Sequence, residues 1–464
     1  MLVPPKPSDS PEQQFVAARA LLNELIKVPE LHDAFDLHDR PSTKMVYTEA
    51  VTIWLLIMQR LRGGASLSTV VSEAVNHQLD LFPDNKRVRE GTLSENTTAF
   101  SKARHKLPLE AIKSFSRCIC DYLGRTADPV FDGRRVFIID GTTITLPPTK
   151  ELKKAYPPAP NQHGESVWPV AMLMVASELQ TGCILVPKID PMYGPQRSSE
   201  SAQACEIVTE LPEKSIVLAD SGFGIFRVAY QTQQANHDFL FRLTMTRFKS
   251  YRRQAELIDQ GKGYKSYQLH WTPSAKERKN HPDLPADASL DVFIHEVELG
   301  NGSTLALVSG MKFDALCLAE LYRCRYDVEF DIRDVKVTMD TENIRAKSVE
   351  MLDKELMGSI IAYNMVSQIR RAAAKLAKVP PRQLSFSGVW LSFNDHLLRK
   401  QCTTFEQWQM AFTAAIVSAS KRKLPVRKTP RDYPRVAHPR RQKSTKFQKS
   451  LRGKDKKAEP PPPD

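Results

Sequence analysis

Cysteine is scarce in this chain and poorly spaced for chemistry. The seven cysteines, at positions 118, 120, 183, 205, 317, 324 and 402, form no CxxC pair and no zinc-finger spacing. That excludes a zinc-ribbon or disulfide scaffold. Several of them sit in apolar stretches, where a free thiol behaves as a small hydrophobe, and they read as buried, reduced thiols of a reducing cytosol. Long apolar runs are missing too. None approaches the ~20 residues needed to cross a bilayer. The opening MLVPPKPSDSPEQQ lacks the basic-then-apolar pattern of a secretory signal. The expectation is a cytoplasmic protein with no membrane association. A charge surplus is also absent from most of the chain. Before residue 421 there are 50 basic and 49 acidic side chains, so the net charge of +13 resides almost wholly in residues 421–464, with 16 Lys or Arg against four Asp or Glu. This tail is rich in proline and too polar to fold alone, and reads as a disordered cationic arm suited to polyphosphate.

The chain is long enough for two to four domains and a sizeable core. Residues 1–128 read as a helical N-terminal domain. Ala50–Arg62 is a strongly apolar helix stopped at Gly63-Gly64, and Ser66–Val75 restarts with Ser as a possible cap. The polar, basic stretch Ser94–Leu107 follows, then Pro108 opens another helix. A helix–break–helix with nearby cations is a candidate for DNA-end binding, with plain bundle packing as the competing reading. Residues 129–236 alternate strands and helices. Val136–Ile139, Thr142–Leu146, Val167–Leu179, Gly182–Val186 and Ile216–Ala219 are the expected strands, and Glu200–Leu211 and Val228–Asn236 the helices. Apolar runs between helices argue an α/β sheet covered on both faces. Residues 237–311 read as a β-rich insertion, with strands at Phe239–Met245, Tyr267–Trp271, Val292–Val297 and Thr304–Val308. Residues 312–420 return to helix.

Two apolar strands each lead into an aspartate: Val-Phe-Ile-Ile-Asp140 and Ile-Val-Leu-Ala-Asp220. An ionised carboxylate beside a buried strand is costly unless a cation or donor compensates it. Either aspartate alone reads equally well as the end of a strand. The segment LYRCRYDVEFDIRDVK is sharper. In a regular helix Tyr322, Arg325, Glu329 and Lys336 fall within a stripe of about 60°. A stripe facing a core would be apolar. A solvated, salt-bridged face is the ordinary reading of such mixed charge.

The spacing Tyr-x2-Arg-x3-Glu-x6-Lys resembles the signature of cut-and-paste DDE transposases of the insertion-sequence-four type. Ile139-Asp140-Gly141-Thr142 with Leu146-Pro147 is similar to that family's first-aspartate strand. Leu218-Ala219-Asp220-Ser221-Gly222-Phe223 is similar to its second, where relatives often have Arg in place of Ser221. Arg345-Ala346-Lys347, Glu355 and Ala362-Tyr363-Asn364 fit the helices that follow the signature. The resemblance covers roughly residues 90–390. It implies a ribonuclease-H-like catalytic core with a β-rich insertion between Asp220 and Glu329, a separation of 109 residues that is too long for a simple loop. It implies that Asp140, Asp220 and Glu329 hold two Mg²⁺ or Mn²⁺ ions, with Asp140 bridging, and that Tyr322, Arg325 and Lys336 contact the end of a mobile DNA element. Relatives also stack a flipped base on an aromatic from the insertion. Trp271 is the sole tryptophan of residues 237–311, but no local motif aligns it to that role.

The chemistry matches the residue types. Two metals about 4 Å apart activate the attacking oxygen and stabilise the leaving one in an in-line displacement at phosphorus. Hard cations prefer carboxylate oxygens. Arginine grips phosphate with paired hydrogen bonds, and lysine adds a point charge. The expected partners are double-stranded DNA, as element ends and as target, and a second copy of the chain to pair two ends. Three alternatives stay open: an endonuclease on the same fold without strand transfer, a transposase-derived DNA-binding protein without catalysis, and a helical scaffold with a basic tail. Inverted repeats flanking the gene discriminate the first; intact carboxylates speak against the second.

Overall fold

In a computed structural model the described residues are 45–425, apart from 78–81, 84, 126, 162–163, 301 and 399–404. The N-terminal 44 residues and the cationic tail beyond 425 lie outside them.

Helix α1 (Glu49–Leu61) starts where the Thr48 side chain accepts from Val51 N, and it ends where Gly63 and Gly64 take φ of 67° and 72°. Only glycine enters that left-handed region cheaply. Helices α2 (Leu67–His77), α3 (Thr98–Lys106) and α4 (Leu109–Arg125) follow. No helix among the described residues is long and apolar enough to cross a membrane.

A ten-stranded mixed sheet forms the centre, in the order β2-β3-β1-β5-β6-β10-β9-β8-β7, with β4 also on β3. Its strands are β1 (Val136–Thr145), β2 (Pro158–Asn161), β3 (Gly164–Glu178), β4 (Lys188–Pro191), β5 (Ile216–Ala219), β6 (Asp238–Arg242), β7 (Glu256–Gly261), β8 (Tyr264–Trp271), β9 (Leu290–Glu298) and β10 (Thr304–Ser309). Strands β1, β3 and β4 run antiparallel, whereas β5 is parallel to β1 and β6 is parallel to β5. The stretch expected as an insertion builds no sheet of its own. β6 belongs beside β5, and β10 pairs with β6, so β7–β10 extend the same sheet. A second difference lies at 182–186, read from sequence as a strand. Only Ile184 bridges to Ser177 there, and the paired strand is β4. Cys183, Ile184 and Val186 are apolar because they are buried under the helices.

The core strands alternate between two apolar layers. Phe137, Ile139, Val217, Ala219, Phe239 and Phe241 face α5 (Glu200–Ile207) and α6 (Phe226–Gln234). Val136, Ile138, Ile216, Leu218 and Leu240 face α8 (Ala315–Arg323) and α9 (Asp327–Arg333). Between β6 and β7 lies α7 (Met245–Arg252). Beyond α9, the 29-residue α10 (Val349–Ala377) is buried along nearly its whole length. It approaches α1 so closely that a Cβ on Gly358 would stand 3.3 Å from Leu56 O. Helices α11 (Phe386–Phe393) and α12 (Phe405–Ser420) complete the described residues.

Candidate active site

The aim of the two aspartates follows from strand register. Parallel β1 and β5 pair Val136 with Ile216 and Ile138 with Leu218. The same step, taken two residues further, reaches Asp140 and Asp220. Ile138 and Leu218 both point into the layer beneath α8 and α9. Period two therefore puts both carboxylates on that face, Asp140 midway along β1 and Asp220 just past the end of β5.

Asp140 is partly sheltered, its side chain 22% exposed, and its Oδ1 accepts from Gly141 N at 2.9 Å. Burial pushes its carboxyl up to about 6; the Arg325 guanidinium opposes the shift, and the charges of Asp220 and Glu329 add to it. Both neighbouring carboxylates thus lie close enough for their charge to bear on Asp140. Gly141 points to the opposite face, where a Cβ would meet Glu200 Oε1 at 3.0 Å, so glycine here leaves room for a fourth carboxylate behind β1. Asp220 Oδ1 accepts from Gly222 N at 2.7 Å, folding the chain back directly after β5.

The helix that carries the third carboxylate is not uniform. After α8 a 3₁₀ turn covers Cys324–Tyr326, α9 follows, and a π-helical turn covers Asp334–Thr338. The regular spiral expected from sequence is overwound at Arg325 and unwound at Lys336. The π-turn is the kind of irregularity that recurs at functional sites. Arg325 Nη1 lies 3.7 Å from Asp140 Oδ2, and its Nη2 donates to Glu329 Oε1 at 3.0 Å. Its Nε is buried with no hydrogen-bond partner, and its guanidinium stands 4.8 Å from the centre of the Tyr326 ring. Lys336 reaches β1, donating to Thr142 Oγ1 (3.2 Å) and Thr143 O (2.8 Å). Tyr322 is only 3% exposed and packs in the layer with Leu318, Leu321 and Val328. Burial raises its phenol well above the ordinary range. Its hydroxyl has little surface through which to meet DNA.

Four carboxylates fall between 327 and 334, and geometry separates them. Asp331, fully buried, accepts from Arg382 Nη2 (2.7 Å) and Ser177 Oγ (2.6 Å); Asp327 accepts from Arg382 Nη1 (3.1 Å); Asp334 pairs with Arg370 (3.4 Å). These three bolt the helix down. Glu329 points away from them and its side chain is 52% exposed. Glu355 of α10 is likewise structural, binding Arg60 at 2.8 Å and Arg104 at 2.7 Å. The basic stretch 94–107 therefore spends Arg104 on the interior. Trp271 is 2% exposed and meets Phe226 edge-on at 5.6 Å, which makes it a core residue.

Among the described residues no three acidic, histidine or cysteine side chains form a ready-made cation cage. Arg325, set between Asp140 and Glu329, pairs with both carboxylates. Sequence reading missed Arg242, exposed at the end of β6, whose charge acts on Tyr322 alongside those of Arg325 and Asp220. It also missed Glu200 and Arg247, which belong to no motif.

Residues 132–365, half of the chain, match the family model described as a transposase DDE domain. The chain belongs to the DDE transposase family. Its matched segment contains β1, β5 and the helix of Glu329, which are the elements that gather the site. The transposase InsG for insertion sequence element IS4, from Escherichia coli K12, is 24% identical over 296 residues, covering 62% of this chain and 65% of that relative. The match thus spans just under two thirds of the curated relative. A solved structure of the piggyBac transposase synaptic complex with hairpin DNA covers 86% of this chain and 85% of its own, at 10% identity and a TM-score of 0.36.

Proposed function

We propose that this chain binds the ends of a mobile DNA element, cleaves phosphodiester bonds there with divalent metal ions, and joins the ends to target DNA. The observation that carries the reading is the register of β1 and β5, which aims Asp140 and Asp220 at the face covered by the helix of Arg325 and Glu329. An antiparallel β1·β3·β4 meander followed by two strands parallel to β1 supports a ribonuclease-H-like core, with β7–β10 as its β-rich insertion. Residues 1–128 serve in binding the DNA ends, and the tail adds affinity for the polyanion.

The donor set fits Mg²⁺ or Mn²⁺. All three side chains offer carboxylate oxygens, the preference of hard cations. The penalty on ionised Asp140 from burial and from its two acidic neighbours is one that a dication relieves. Asp140, Asp220 and Glu329 would hold two ions, and the ions would supply charge stabilisation and an activated oxygen for attack at phosphorus. The protein's own part is positioning. Glu329 is tied to Arg325, and it joins the site when Arg325 turns to the phosphate of an element end. A guanidinium with an unpaired Nε has a donor to spare for that exchange. Lys336, held by Thr142 and Thr143, keeps positive charge beside the strand of Asp140. Tyr322 supports the clamp through its packed ring, within reach of the charges of Arg325, Arg242 and Asp220. Two ends must be paired, so the working assembly is a homodimer on DNA. Incubating the protein with the DNA that flanks its gene, in Mg²⁺, and mapping the cut ends tests the reading. Breaks at the element boundary followed by joined products are expected; breaks without joining would leave an endonuclease.

A further inference from the structure

The turn after Asp220 is held from two sides. On one side Gly224 presses against the end of β6, where a Cβ would stand 2.2 Å from Arg242 O. On the other, Arg247 Nη1 donates to Ser221 O at 2.7 Å and to Gly224 O at 3.3 Å, so one guanidinium nitrogen spans the turn. Arg247 stands in the first turn of α7. That helix is capped by Thr244, whose hydroxyl accepts from Arg247 N, and anchored by Phe248, 1% exposed. Lys249, Arg252 and Arg253 of the same segment are exposed, whereas Arg247 is half-buried and directs these donors inward. A cation aimed at backbone carbonyls orders the chain that carries them.

We infer that Arg247 is a positioning residue for Asp220: it fixes the 221–224 turn so that the preceding carboxylate keeps its aim, and it does not contact DNA. The inference rests on the reading of Asp220 as a metal ligand. Partners that orient a ligand from behind are typically worth about 10- to 100-fold in metal affinity. A lysine keeps the charge and can reach carbonyl oxygens, but without the planar fork.

The test measures Mn²⁺ affinity of the full, DNA-free chain by calorimetry, and element-end binding over a range of salt. Arg247→Ala is expected to weaken Mn²⁺ binding by about 10- to 100-fold, with Arg247→Lys recovering part of it. End affinity and its salt dependence stay at the wild-type level in both. Thr244→Ala, which loosens α7 without touching the guanidinium, keeps wild-type Mn²⁺ affinity. Wild-type Mn²⁺ binding in Arg247→Ala, alongside its loss in Asp220→Asn, overturns the inference and leaves the metal reading standing. Undiminished binding in Asp220→Asn overturns both. A salt slope reduced by about one in Arg247→Ala makes the residue a phosphate contact instead. An equal loss in Thr244→Ala makes the effect one of general loosening. Should Arg247→Ala fail to fold, Arg247→Lys is read by the same criteria.

Discussion

Arg325 holds two carboxylates at once, 3.7 Å from Asp140 and 3.0 Å from Glu329. A charged hydrogen bond is worth roughly 1.5–3 kcal/mol, so Arg325→Ala should weaken assembly of the end complex by about 10- to 100-fold and disturb Mn²⁺ binding less. Gel-shift titration beside calorimetry reads the two; unchanged assembly would remove the clamp role. His295, away from the site, gives a different residue-scale test. It is 1% exposed, shares a 2.9 Å hydrogen bond with Ser266, and its Nε2 has no partner. Burial lowers its imidazole to about 4, against a partial opposing pull from Asp314. The folded value lies below the unfolded one, so its contribution to stability is complete above about pH 6.5 and is lost as pH falls toward 4. Urea unfolding at pH 7 and pH 4 should show wild type losing roughly 2–3 kcal/mol more than His295→Gln across that interval. Parallel losses would contradict the buried neutral state.

At the scale of elements, the helix that carries Glu329 is fixed from behind. Asp331→Ala leaves the guanidinium of Arg382 buried with only Asp327 to answer it, and such a break costs about 3–5 kcal/mol. Denaturant unfolding should show that loss; a change below about 1 kcal/mol would mean that the pair does not anchor α9. This arrangement also bears on what the sequence could reveal. β1 and β5 were legible because VFII and IVLA are buried on both faces, which demands apolar residues at every position. β7 was not, since ELIDQG is exposed throughout and buries no apolar side chain. α7 was missed because MTRFKSYR buries little beyond Phe248, and Arg247 went unseen with it. The apolar run at 182–186 misled in the opposite direction, since burial made it apolar without making it a strand. The spacing from Tyr322 to Lys336 marks one helical stretch. It could not show the 3₁₀ and π turns, nor that Asp327, Asp331 and Asp334 are paired with Arg382 and Arg370 while Glu329 is half-exposed.

On the scale of the whole molecule, one continuous sheet joins strand-borne aspartates, insertion and helical layers. α10 packs against α1 and grips Arg60 and Arg104 through Glu355, so the N-terminal helices are built into the same body as the site. The central claim is that Glu329, half-exposed and tied to Arg325, is the third carboxylate of a two-metal centre. The direct measurement is cleavage of element-end DNA in Mg²⁺ by wild type and Glu329→Gln, with end binding followed in parallel. The account predicts end complexes in both proteins and nicking in wild type alone; nicking by Glu329→Gln would contradict it.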